Sequence, residues 1–189
     1  MFRSIGYNLA RLGNFSGRES RGLYWPYAIS VFVLGMVAGL LLFVPVMMDM
    51  MTRIMSYTQA HPEGLPKPVP GQPPALPPEL MPDMSGMFVP MAVVNLVTLL
   101  LYAAATVRRL HDRDCSGWWA ALPLPFQLIG LAIGPRVMAA MMHRPATPSP
   151  LTMLSSLASL AYWAAFIVLI VILAGEPTRG PNRFGDPVS

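Results

Sequence analysis

The chain has 189 residues, of which 54% are hydrophobic and only 12% are charged, and its formal net charge is +4. This balance differs from that of an ordinary soluble domain and indicates a membrane protein. The positive charge does not indicate nucleic-acid binding, because the arginines are divided among the flanks of apolar segments and belong to no groove-reading module. Walker, Rossmann and zinc-binding signatures are absent from the sequence as well.

The first residues predict a short helix that lies in the membrane interface. Four apolar side chains recur there at helical spacing: Phe2, Ile5, Leu9 and Leu12. Arg3 and Arg11 lie off this stripe, as expected of an amphipathic helix in the plane of the headgroups.

Four apolar segments follow. About 20 apolar residues are needed to cross a bilayer as a helix, and three segments reach that length without an ionised side chain: 27–48, 88–107 and 151–174. The fourth segment, 117–134, is marginal in length and contains two prolines, so a kinked span and a re-entrant hairpin are alternatives, with a span favoured. The sequence therefore predicts an all-α polytopic membrane protein, a single membrane domain over residues 1–189 with about four transmembrane helices.

The arginines predict the orientation of these helices. If the N-terminus lies in the cytoplasm, nine of the 13 basic residues fall on the cytoplasmic side, where Lys and Arg are enriched. The proline-rich residues 58–82, which predict an extended disordered loop, then lie outside, and the tail, residues 175–189, lies inside. No ionisable side chain lies centrally in a span, which argues against an ion-coupled or small-solute transporter.

The segment VRRLHDRDCSGWW concentrates charge between the second and third spans. Arg108 and Arg109 would suit an anion site, with Asp112 orienting a guanidinium and His111 responding to pH, and phospholipid headgroups are the nearest anions. In the alternative interpretation, which is favoured, the arginines only set the orientation and Trp118 belongs to the aromatic belt of the interface.

Catalysis is the least favoured interpretation of this segment. Ser116 lies near His111, but proximity in sequence is not triad geometry, and no G-x-S-x-G context surrounds the serine. We expect Ser116 to cap the following helix, because its hydroxyl can accept a hydrogen bond from a first-turn amide. We therefore expect no enzymatic activity, no metal site in this segment and no cofactor.

Three motifs together resemble a known family. They are FSGRESRGLYW at residues 15–25, RRLHDRDCSGWW at 108–119 and PNRFGDP at 181–187. In this order they are similar to the bacterial family catalogued as domain of unknown function 805. The resemblance implies a small inner-membrane protein without an established activity. Gly22 and Leu23 stand where members of the family often carry an acidic residue.

With both termini in the cytoplasm, the three motifs are expected to meet on one face, with the tail docked there. We expect this face to bind anionic phospholipid headgroups, a membrane-protein partner or a second copy of the chain. The candidate binding residues are Arg18, Arg21, Arg108, Arg109, His111, Asp112, Trp118, Asn182 and Arg183.

Methionine supports an alternative function. Eleven methionines lie on the predicted outer side, near His61 and His143: Met47, Met48, Met50, Met51, Met55, Met81, Met84, Met87, Met138, Met141 and Met142. Thioether sulfur suits Cu(I), so a copper-binding or copper-handling outer loop is the alternative. Methionine also lines flexible, half-buried surfaces that bind no metal, and this interpretation is favoured.

The single cysteine, Cys115, provides a test of the orientation. A membrane-impermeant maleimide should label Cys115 only after the cells are opened, because the central motif is predicted to face the cytoplasm. A Ser189→Cys variant in a Cys115→Ser background should be protected in the same way. Labelling of Cys115 in intact cells would show that the central motif faces outward and would contradict the predicted orientation.

Overall fold

The computed structural model describes residues 2–64, 77, 80, 84–143 and 149–186. Its five α-helices are α1 Phe2–Leu9, α2 Arg21–Ala60, α3 Phe88–Asp112, α4 Leu124–His143 and α5 Pro150–Ala174. Short 3-10 helices precede α3 at Ser85–Met87 and α4 at Gly117–Ala121. Over the described ranges there is no β-strand, and only Asn182 and Gly185 form an isolated bridge. The predicted all-α fold with a short N-terminal helix is confirmed.

Four helices, α2 to α5, are long and apolar enough to cross a membrane. In the most apolar stretch of each helix, only 11–22% of the residues are buried inside the protein. Most of this apolar surface therefore faces outward, which requires lipid rather than water as the surrounding medium. The chain is a multi-pass membrane protein.

The segment predicted at 117–134 consists of the 3-10 helix Gly117–Ala121 and the first half of α4, and it does not fold back as a re-entrant hairpin. Pro123 precedes α4, and Pro125 is its second residue, where the first-turn amides lack helical partners in any case. Helix α4 then continues to His143. Because α5 returns to place Leu173 beside Arg109 of α3, α4 and α5 form a hairpin that starts and finishes at the same end of the bundle.

Helix α2 is longer than its predicted span, 27–48. Its 40 residues would measure about 60 Å, twice the hydrocarbon thickness of a bilayer. The predicted loop, 58–82, falls largely outside the described residues, but its first three residues belong to α2. No glycine or proline interrupts residues 46–60, and Asp49 pairs with Arg53 one turn later at 2.7 Å, so nothing stops the helix at the membrane surface.

Helices α2 and α3 are joined by reciprocal tyrosine bonds. The hydroxyl of Tyr27 donates to Leu101 O at 2.8 Å, and that of Tyr102 donates to Ala28 O at 2.6 Å. The buried apolar core extends from these tyrosines to the end of the bundle where α2 begins and where α3 and α5 end. Its members there include Tyr24, Tyr27, Ala105, Leu110, Leu169 and Leu173. This core supports the charged residues described next.

Candidate functional site at the arginine end of the bundle

Charged residues converge at the end of the bundle where α2 begins and α3 and α5 end, which we call the arginine end. Arg18 and Glu19 precede α2, while Arg108, Arg109 and Asp112 lie in the last two turns of α3. Each of these five residues is at most 3% exposed. We refer to them together as the arginine network.

Glu19 joins the N-terminal segment to α3 through an ion pair with Arg108. Its Oε2 atom lies 2.9 Å from both Nε and Nη2 of Arg108. Asn8 of α1 bridges the pair, because its Nδ2 donates to Glu19 Oε1 at 2.8 Å and its Oδ1 accepts from Arg108 Nη2 at 2.6 Å. The last nitrogen of Arg108 donates to the carbonyls of Arg11 and Asn14.

Asp112 pairs with the guanidinium groups of Arg18 and Arg109. Its Oδ1 atom lies 2.9 Å from both Nε and Nη2 of Arg18, and its Oδ2 accepts from Nη1 of Arg109. Arg18 also reaches the tail, donating to Gly180 O at 2.8 Å and to Thr178 O at 2.9 Å. One carboxylate thus connects the segment before α2 with the end of α3 and, through Arg18, with the tail.

Arginines also cap the C-terminus of α5, where the last carbonyls have no helical partners. Arg109 donates to Leu173 O at 2.9 Å and to Gly175 O at 2.7 Å. Arg21 reaches the same Gly175 carbonyl at 3.1 Å, and Arg113 donates to the Ile172 carbonyl at 2.6 Å. The negative end of the helix dipole adds to this attraction for cations.

The tail folds back over the end of α3. The amide and hydroxyl of Thr178 donate to Asp112 O at 3.0 and 3.1 Å, and Asn182 Nδ2 donates to His111 O at 2.9 Å. The ring of Phe184 stacks on that of His111 with 3.8 Å between the centroids. These contacts satisfy terminal carbonyls of α3 and bring the three sequence motifs together, as expected from the sequence.

Such dense bonding compensates the burial of five charges. Removing an ion from water costs several kcal/mol, and pairing offsets this cost only when the remaining donors and acceptors are also satisfied. In the part of the chain that the structure describes, no buried side-chain nitrogen or oxygen lacks a hydrogen-bond partner. Burial raises the pKa of the Glu19 carboxyl, while the hydrogen bond from Asn8 and the charge of Arg108 oppose that rise.

The nine candidate binding residues differ in exposure. Four belong to the buried network: Arg18, Arg108, Arg109 and Asp112. Three are half-buried and bonded within the protein: Arg21, His111 and Asn182. Trp118 is 84% exposed, and the exposed Arg183 pairs with Asp114 at 3.0 Å. The donors of the buried arginines therefore face internal acceptors rather than the surface.

The sequence interpretation did not single out Glu19, Asn8 or Thr178. The resemblance placed the family's acidic residue at Gly22 or Leu23, where this chain has none. Glu19, three residues before Gly22, supplies the carboxylate that pairs with Arg108. The available signal was a lone acidic residue inside an arginine-rich motif of a membrane protein, where a buried charge needs a partner.

Ser116 caps the 3-10 helix that follows it, as predicted. Its Oγ atom accepts from the amide of Trp118 at 3.4 Å. The imidazole of His111 lies against the loop before α2, with Nδ1 at 3.2 Å from Gly17 O. Among the described residues, no group of three His, Cys, Asp or Glu side chains is arranged to hold a metal ion.

These features define a class of protein: a multi-pass helical membrane protein whose N-terminal segment, central turn and tail are tied together by buried arginines. The family described as Protein of unknown function (DUF805) matches residues 12–186. The chain belongs to this family, which confirms the resemblance. No curated protein and no solved structure matches the chain.

The two aspartates at the end of α3 provide a matched test of the network. Asp112→Asn should lower the free energy of unfolding by about 3–5 kcal/mol, because it leaves two buried guanidiniums short of a counter-charge. Asp114→Asn should cost at most about 1 kcal/mol, because its ion pair is exposed. Equilibrium unfolding in mixed dodecyl maltoside and dodecyl sulfate micelles, followed by circular dichroism, measures both. Equal losses of unfolding free energy in the two variants would contradict a structural role for Asp112.

Proposed function

We propose that this protein is a non-catalytic membrane protein that binds anionic phospholipid headgroups at its arginine end, on the cytoplasmic surface of a bacterial inner membrane. The proposal combines the favoured orientation with the exposed side chains at this end. In this proposal the exposed arginines bind the headgroups. The buried arginine network holds in place the segments that carry them.

Helix α1 is the observation that carries the proposal. Its two buried residues are polar and face the protein, since Ser4 donates to Leu23 O and Asn8 bonds to Glu19. Two of its apolar residues face outward, Phe2 at 89% and Leu9 at 48% exposed, while Ile5 packs against the buried core. The outward pair departs from a soluble surface helix, which turns its large apolar residues toward the protein. It is typical of a helix that rests its apolar side at the boundary between headgroups and acyl chains.

Basic side chains lie beside this apolar stripe and elsewhere at the same end. Arg3 and Arg11 of the N-terminal segment and Arg179 of the tail are all exposed. The guanidinium of Arg11 lies over the ring of Tyr7, 4.0 Å from its centroid, which holds the charge near α1. The exposed indole of Trp118 suits the headgroup layer. We call Arg3, Arg11, Arg179 and Trp118 the headgroup rim.

Two other sequence interpretations stay predictions. Met47, Met48, Met51 and Met55 are exposed on α2, but Met81 and the side chains of Met141 and Met142 lie outside the described residues. Met47, Met48 and Met51 line one surface groove together with Leu40, Phe43 and Val44. The expectation that the chain is not an enzyme is likewise a prediction.

Replacing the rim arginines tests the proposed function. The triple variant Arg3→Gln, Arg11→Gln, Arg179→Gln should bind phosphatidylglycerol about 100-fold more weakly, because each arginine near an anionic surface contributes about 1 kcal/mol. Binding is measured by native mass spectrometry of the full chain in detergent, titrated with phosphatidylglycerol and, separately, with phosphatidylcholine. Raising the ionic strength should reduce the difference between the two lipids.

Arg136→Gln serves as the control, because Arg136 is exposed on α4 and lies toward the other end of the bundle. Its phosphatidylglycerol affinity should equal that of the wild type. Unchanged affinity in the triple variant would overturn the proposal. Loss of a co-purifying protein from the triple variant, without any loss of lipid, would favour the partner-protein alternative instead.

A further inference from the structure

The outer face of α5 carries polar side chains that point away from the bundle. We define this face by five exposed residues: Ser156, Ser159, Leu160, Trp163 and Ile167. They recur at spacings of three and four residues and therefore share one side of the helix. Ala158, Ala165 and Leu169 are buried and lie on the other side. Helix α5 thus presents hydroxyl and indole groups to its surroundings.

Trp163 lies near the middle of the membrane. At a rise of about 1.5 Å per residue, it is roughly 20 Å from the first residue of α5, Pro150, and roughly 17 Å from the last, Ala174. Tryptophan in membrane helices is enriched at the interfaces, where its N–H group finds a partner in the wet headgroup layer. The indole of Trp163 is too deep to reach water or headgroups.

The polar groups of this face lack acceptors and donors inside the protein. Among the residues that the structure describes, neither the indole N–H of Trp163 nor the hydroxyl of Ser159 forms a hydrogen bond. Other polar side chains deep in the bundle are bonded: Asn95 pairs with Gln127, and Thr98 donates to a carbonyl one turn earlier. An unmade hydrogen bond in hydrocarbon costs free energy, and an acyl chain offers no acceptor. The outer face of α5 therefore requires a protein neighbour rather than lipid.

The two unbonded groups complement each other across a two-fold axis. An indole is a donor only, whereas a serine hydroxyl can accept. Side chains on a helix lean toward its N-terminus, so the indole of Trp163 lies at the level of Ser159, one turn earlier. Two copies of the chain have the same orientation in the membrane, so a two-fold axis along the membrane normal makes their α5 helices parallel, with equal residues at equal depth. Trp163 of each copy then meets Ser159 of the other.

We propose that this protein forms a parallel homodimer through the outer face of α5, in which the indole N–H of Trp163 donates to the Ser159 hydroxyl of the second copy. The rings of Tyr162 and Phe166 lie edge-to-face with the indole, at centroid distances of 5.6 and 6.0 Å, and restrict its orientation before the copies meet. The small side chains of Ser156 and Ser159 let the two helices approach closely. The dimer does not depend on the headgroup rim, which lies at the arginine end.

Cysteine cross-linking in membranes tests which surface forms the contact. Leu160→Cys, in a Cys115→Ser background, places a thiol on the outer face of α5. Leu100→Cys on α3 is the matched control, because Leu160 is 67% and Leu100 61% exposed. Full-length chains with two different epitope tags are co-expressed and oxidised with iodine, which enters the bilayer. Leu160→Cys should give a disulfide-linked product that carries both tags, and Leu100→Cys should give none. Absence of that product, or a different protein in place of the second copy, would overturn the proposal.

Variants of the outer face test the hydrogen bond. Dimerisation is measured in dodecyl maltoside by energy transfer between full chains labelled at Ser189→Cys in the Cys115→Ser background. Trp163→Phe and Ser159→Ala should each raise the dimer dissociation constant about tenfold, because each removes both reciprocal bonds. Ser156→Ala should leave it unchanged, because the Ser156 hydroxyl already donates to Thr152 O at 3.0 Å within α5. Circular dichroism checks that each variant is folded. A wild-type dissociation constant in both Trp163→Phe and Ser159→Ala would overturn the proposal.

Discussion

Burial of Arg18, Arg108 and Arg109 beside an apolar core strips three guanidinium groups of their hydration, at a cost of several kcal/mol each. Two carboxylates, Glu19 and Asp112, supply the counter-charges, and backbone carbonyls and the Asn8 side chain accept further N–H groups. The carbonyls come from segments far apart in sequence, so the arginines can be satisfied only when these segments meet. The start of the chain, the end of α3 and the tail are therefore fixed relative to one another by one electrostatic requirement.

Much of the framework could be predicted from the sequence, because its causes are local. The length and apolarity of residues 88–107 and 151–174 are sufficient to predict helices there, and the spacing of Phe2 and Leu9 predicts α1. The distribution of the arginines among internal and exposed positions could not be predicted in this way. Whether an arginine near a helix end faces lipid headgroups or a buried carboxylate depends on tertiary contacts, such as the bridge that Asn8 forms between Glu19 and Arg108.

Buried and exposed arginines differ in their capacity to bind a phosphate group. A guanidinium that already donates to a carboxylate and to carbonyls has few N–H groups left for a phosphate, whereas Arg3, Arg11 and Arg179 are exposed. Under the proposed function, the buried arginine network stabilises the surface that carries the exposed arginines, so its own effect on lipid binding would be indirect.

A double-mutant cycle on Glu19 and Arg108 tests the central claim, that a buried and internally compensated ion pair holds the N-terminal segment on α3. Unfolding free energies are measured in mixed micelles for Glu19→Gln, Arg108→Met and the double variant. Each single change should cost about 3–5 kcal/mol, because it leaves the other charge buried without its partner. The double variant should cost less than the sum by about 2–3 kcal/mol. Additive losses, within about 0.5 kcal/mol, would contradict the account.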